Sequence, residues 1–206
     1  KKILGSDLLA SNAGLISLFV FLLLNIVALI YALVRANAWV SDQDNGRLDL
    51  LLSRPQPRWK VAVHEYGAAL AGFVVMTLAL AAGITLGVVA TGLSLSLGKV
   101  FGASLALLPP MALVAGAVYA LGARFRSNVV LSVVGGYLGL AYFFDLLWAY
   151  LGLPGWLHDL SIFSAYGTPI VDGVNWLASL VMLALAALAT AAGIYLFQTG
   201  DLRQGG

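Results

Sequence analysis

Five long apolar stretches dominate the chain, separated by short polar breaks. The first runs from about Leu15 to Val34, with Asn25 as its one strongly polar side chain. About twenty apolar residues in a helix rise roughly 30 Å, the thickness of bilayer hydrocarbon, so this stretch predicts a full crossing. The second is uncharged from Tyr66 to Gly98 and predicts a tilted span over about Val61–Val89. The third, about Val100–Leu121, carries Pro109 and Pro110 near its middle, where lost N–H donors and ring clashes predict a kink. The fourth covers about Val129–Tyr150 and the fifth about Trp176–Phe197. Runs this long select helices, because strands of a membrane barrel alternate in segments of about ten residues. The expected fold is an all-α polytopic bundle, one transmembrane domain across residues 1–206. Between the last two spans, Gly152–Gly173 is too interrupted by Gly and Pro to cross, yet holds Trp156, Leu160, Ile162, Phe163 and Tyr166. It predicts short helices lying in the interface on the far side of the membrane.

The break after the first span, Asp42–Trp59, differs from the rest in its mixed charge, Gly and Pro. Ser41 followed by Asp44 predicts a helix start of the capping-box kind, with Asp42 and Asp44 at the positive end of the dipole. Leu48, Leu51 and Leu52 then share one face, while Arg47, Asp49 and Arg54 lie off it. Pro55 ends this short helix, and Pro57 suits the first turn of the next. A helix of two to three turns does not cross. Its leucines bury either among lipid headgroups or in a groove of another protein, and periodicity does not choose between them.

Composition agrees with a membrane class. Hydrophobic residues make up 61% of the chain and charged ones 10%, so a water-soluble domain would have to leave most of its surface apolar. The net charge of +2 and the lack of cysteine give no case for nucleic acid, a disulfide framework or a thiolate metal site. Charge orients the bundle. Arg35, Arg47, Arg54, Arg58, Lys60, Arg124, Arg126 and Arg203 fall on the side of the central loop, against Lys1, Lys2 and Lys99 on the other. The basic side is expected to face the cytoplasm of a multi-pass plasma-membrane protein. With five spans, residue 1 is then outside and residue 206 inside, which leads us to expect a missing N-terminal part containing a further span. Gly83 with Gly87, and Gly135 with Gly139, have helix-packing spacing and are expected to pack within the bundle in preference to forming a dedicated dimer seam.

Catalytic chemistry is sparse. His64-Glu65 begins a zinc-protease signature, but position 68 is Ala and the second imidazole is missing. Gly92–Val100 (GLSLSLGKV) has the wrong spacing and ending for a phosphate loop. No nucleophile-and-base set can be assembled. Three polar groups remain at or near membrane depth. Asp145 lies toward the far end of the fourth span among Tyr137, Tyr142, Phe143 and Trp148. A lipid-exposed carboxylate costs about 2.5–3.5 kcal/mol at mid-bilayer and less near the boundary, so it is either part of a substrate path with Tyr142 and Asn25 or an interfacial acid. Glu65 is expected to pair with Arg58 or Lys60 at the boundary. Asn25 is expected to bond between helices.

The central loop also carries a resemblance. The acidic pair Asp42 and Asp44, then Gly46, the leucine-rich turn Leu48–Leu52 and Ser53-Arg54-Pro55-Gln56-Pro57-Arg58 resemble the permease subunits of ABC-2 type exporters. Ser164-Ala165-Tyr166 stands where that family has a Ser-Pro-Phe-like segment, without its proline, and Gly200-Asp201-Leu202 stands for a more basic tail. Asp replaces the family's usual Glu in the acidic cluster. The resemblance implies a coupling helix that docks on a nucleotide-binding ATPase subunit through Asp42, Asp44, Gly46, Leu48, Leu51, Leu52, Ser53, Pro55 and Arg58. It also implies a homo- or heterodimer of permease domains, each with six spans of which the first is missing here. ATP and magnesium would sit on the partner ATPase, none in this chain. A weakly charged aromatic wall in the fourth span suits a hydrophobic or amphiphilic cargo, although the same residues are ordinary interface anchors. The rival expectation is a self-contained carrier or channel driven by an ion gradient, which calls for charged or broken helices at mid-bilayer.

Overall fold

The structure is a computed structural model and describes residues 22–47, 57–92, 96–151, 161–167, 169 and 173–199. All regular structure among them is helical. In chain order the helices are α1 (Leu22–Asp44), α2 (Arg58–Thr91), α3 (Leu97–Leu105), α4 (Leu108–Gly122), α5 (Ser127–Leu151), α6 (Ile162–Tyr166) and α7 (Trp176–Thr199). Among the described residues, five segments are long and apolar enough to cross a membrane: Leu23–Asp44, Trp59–Thr91, Leu97–Gly122, Ser127–Leu147 and Trp176–Thr199.

Two boundaries differ from expectation. The helix of the first span does not stop near Val34 but continues ten residues to Asp44, because nothing between them breaks a helix and Ala36, Trp39 and Val40 are buried against the bundle. Ser41 and Asp42 therefore occupy the last turn of α1 and cap no helix start. The turn closes instead around Ser41: its carbonyl accepts from Asn45 N at 3.0 Å and its hydroxyl from Asn45 Nδ2 at 3.2 Å. Gly46, at φ 68°, then takes the left-handed conformation that a side chain resists. Pro57 is likewise the cap just before α2 and not part of its first turn.

The third span is interrupted between α3 and α4 at Ala106 and Leu107, which keep helical backbone angles while Leu107 N–H reaches Ser104 O at 3.2 Å in a tightened turn, and the proline pair lies in the first turn of α4. Proline is tolerated there, since first-turn N–H groups have no intrahelical acceptor. This span is the centre of the molecule: 67% of its most apolar window is buried, against 22% for the second, fourth and fifth spans. Helices α7 and α1 pack on α4, α5 lies on α1, and α2 runs beside α3.

The closest crossing joins α4 to α7. A Cβ at Gly116 would lie 2.8 Å from the Ala186 carbonyl oxygen, and one at Gly193 would lie 2.8 Å from the Tyr119 carbonyl carbon. A Cβ at Gly122 would collide with Val40 of α1. Of the glycines expected to pack, Gly135 alone does so, a Cβ there lying 3.4 Å from Leu33, while one at Gly83, Gly87 or Gly139 would meet nothing within 4 Å. Spacing within one helix marks a small-residue face but not whether another helix reaches it.

At the end of the bundle remote from the Gly46–Pro57 loop, α6 is a single buried turn. Ser161 caps it through a hydrogen bond from Phe163 N at 3.2 Å, and the Tyr166 hydroxyl donates to Ala103 O of α3 at 3.0 Å. Burial pushes the Tyr166 hydroxyl well above the usual tyrosine range.

Candidate functional site

Three polar groupings sit on this frame. The first is the corner where α1 enters the central loop. Asp42 Oδ1 accepts from Arg47 Nη1 at 3.3 Å across the Gly46 turn, an exposed pair contributing little. Asp44 turns the other way. Its Oδ2 accepts from the backbone N–H of Ser127 at 2.6 Å, the first residue of α5. Arg126 O already receives Val129 N and Val130 N, so Ser127 N–H is one of the orphan donors of the helix start. A carboxylate from 83 positions away in sequence satisfies it at the positive end of the helix dipole. Of the other expected docking residues, Arg58 opens α2, while Leu48, Leu51, Leu52, Ser53 and Pro55 lie outside the described residues, as does Asp49.

The second grouping lies about two turns deeper. Arg35 of α1 pairs with Glu65 of α2 at 2.7 Å, their side chains 32% and 28% exposed. The expected partners of Glu65, Arg58 and Lys60, precede it on its own helix; the continuation of α1 past Val34 is what presents Arg35 across the helix pair. Beside the pair, Tyr119 is buried, meets Tyr66 edge-on at 5.4 Å between centroids and lies 6.5 Å from Trp39. Trp39 in turn meets Phe197 of α7 at 5.7 Å. The Tyr119 hydroxyl has no hydrogen-bond partner. A narrow crevice lined by Trp39, Gln43, Tyr119 and Phe197 opens next to it.

The third grouping is the expected path. Tyr142 is half-buried and meets Phe163 of α6 edge-on at 5.5 Å. Asp145, one turn further along α5, is partly exposed and takes part in an interaction. Asn25 does not share an open wall with them: it is 2% exposed, and its Oδ1 accepts no hydrogen bond, so the expected helix-to-helix bond to that oxygen is not made. Among the described residues no group of His, Asp or Glu could hold a metal ion.

Sequence reasoning missed Ser127, Tyr119, Trp39 and the Gly116–Gly193 crossing. Each acts through a partner on another helix. The one available signal was Arg35, a charge at the end of an apolar run that needs a carboxylate, 30 residues before the single acid at the base of the next span.

Among the described residues, four apolar helices around a central interrupted span, with charge confined to a loop, an ion pair and the span ends, define a multi-pass helical membrane protein. The family model for the C-terminal domain of the multidrug efflux system permease Rv1217c matches residues 5–198, and the chain belongs to that permease family. No curated protein matches it.

Proposed function

We propose that this chain is the permease domain of an ATP-driven exporter of the ABC-2 kind, moving hydrophobic or amphiphilic compounds out of the cell. The family match carries the reading, and the loop sequence adds the partner. The loop between α1 and α2 carries a coupling helix, with Leu48, Leu51 and Leu52 seated in a groove of an ATPase subunit, Gly46, Ser53 and Pro55 shaping its ends, and Asp42, Asp44 and Arg58 flanking it on α1 and α2. Two permease domains pair above two ATPases, in the plasma membrane with the loop cytoplasmic. ATP and magnesium bind the ATPase. Closure of the ATPases on ATP drives the loops together and rocks the spans between access states.

The test is Leu51→Asp in the complete complex. Burying a carboxylate where a leucine packed removes about 2–5 kcal/mol of packing and adds desolvation. The variant should insert normally, lose its ATPase on purification and stop ATP-dependent efflux. Undiminished efflux with the ATPase still bound would overturn the docking assignment.

A further inference from the structure

Residues Val40 to Arg47 form a stapled corner. Asn45 bonds back to Ser41 through both backbone and side chain, Gly46 N–H returns to Gln43 O at 3.2 Å, and Arg47 pairs with Asp42 at 3.3 Å. The corner grips the turn between α4 and α5 at two points. Val40 seats against Gly122, where no Cβ would fit, and Asp44 holds Ser127 N–H at 2.6 Å. The first contact is apolar and tolerant of sliding. The second is charge-assisted and directional, and so fixes position.

Chain connectivity ties the central loop to α1 on one side and to α2 on the other. It provides no direct connection to α5, the helix that carries Tyr142 and Asp145 at its opposite end. We infer that the Asp44 carboxylate, bonded to the Ser127 amide, is the joint through which displacement of the central loop reaches α5, making Asp44 a positioning residue for transport. The functional half of this inference rests on the exporter reading proposed above.

The joint can be cut from the α5 side without touching the loop. Proline is at home in the first position of a helix and lacks the N–H that Asp44 holds, so Ser127→Pro deletes the bond and leaves the helix. Ser127→Ala keeps the amide and serves as control. In the complete transporter reconstituted in lipid vesicles, Ser127→Pro should lower the amount of a fluorescent amphiphilic dye exported per ATP hydrolysed by about ten-fold, the scale of losing one charge-assisted hydrogen bond. ATP hydrolysis should stay near the wild-type rate, and Ser127→Ala should behave as wild type. Adding Ser127→Pro to Asp44→Ala should cost nothing beyond Asp44→Ala alone, since both remove the same link. An unchanged ratio in Ser127→Pro, or losses that multiply in the double variant, overturns the joint. Hydrogen exchange of residues 126–131 in the full-length protein needs no ATPase and separates the two readings. Faster exchange in Asp44→Ala supports the bond even if no ATPase partner exists, and unchanged exchange refutes it even if the exporter reading stands.

Discussion

The α4–α7 crossing makes the sharpest quantitative test of the fold. In Gly193→Ala the new methyl would lie 2.8 Å from Tyr119 C, 2.9 Å from Tyr119 O and 3.0 Å from Ala120 N. Ordinary contact begins at 3.4 Å, a shortfall of about 0.6 Å (3.4 less 2.8). The obstacle is helix backbone, which cannot rotate aside as a side chain can, so α7 has to back away along its whole crossing with α4. Overpacking of this kind costs about 1–3 kcal/mol. Alanine also favours a helix by about 1 kcal/mol over glycine, and that gain must be cancelled before the clash can be read. Gly83→Ala supplies the reference, because nothing lies within 4 Å of its would-be Cβ. Unfolding of both variants in mixed micelles, followed by the fluorescence of the protein's tryptophans, of which Trp39 packs on Phe197 and Tyr119, should place Gly193→Ala about 1–3 kcal/mol below Gly83→Ala. Gly116→Ala should be destabilised similarly, and the double variant by less than the sum, as both force the same pair of helices apart. A Gly193→Ala protein as stable as Gly83→Ala would refute the close crossing.

The remaining predictions concern charge and sidedness. Arg35→Glu leaves two carboxylates facing each other on α1 and α2 and should lower the yield of folded protein in membranes, while Arg35→Glu with Glu65→Arg should recover most of it; no recovery would mean that the 2.7 Å pair is not what matters there. A cysteine at Ser11 should label with an impermeant maleimide in intact cells and one at Gln204 should not, following the eight-to-three division of basic residues; the reverse pattern would invert the topology, loop included. Asp145→Asn keeps shape and removes charge, so it should alter cargo preference or efflux rate more than ATP hydrolysis, and normal handling of every cargo tested would leave Asp145 an interfacial acid.

What the sequence could reveal followed from what each element depends on. The spans depend on length and apolarity alone; the second to fifth appear within a few residues of their expected places, while the first runs past its expected end and its expected start at Leu15 lies outside the described residues. That end was misplaced because Arg35 looks like the start of a water-exposed break, whereas it pairs with Glu65, and Trp39 and Val40 beyond it are buried. Ser41 and Asp44 have the spacing of a helix start, and Asp44 does cap one, but it is α5, 83 positions away. Local spacing sees the chemistry of a cap and not its address. The proline pair marked the interruption of the third span correctly, since no neighbour can supply the missing N–H. Glycine pairs misled because the decisive glycines are single: Gly116 of α4 meets Ala186 and Thr190, and Gly193 of α7 meets Tyr119 and Ala120.

That interruption divides the third span into two bodies with different allegiances. The half before it, α3, lies along α2 and is tethered by Ala103 to the buried turn α6. The half after it, α4, is clamped backbone to backbone against α7 and abuts Val40 of α1. Between them the ladder of main-chain bonds is already interrupted, with Leu107 N–H reaching only as far as Ser104 O. Bending elsewhere along a continuous helix would have to break bonds that are intact; at Ala106–Leu107 the ladder is already loosened to a three-residue turn. The span is thus two arms meeting at a loosened turn, one held by α2 and α6 and the other by α7 and α1.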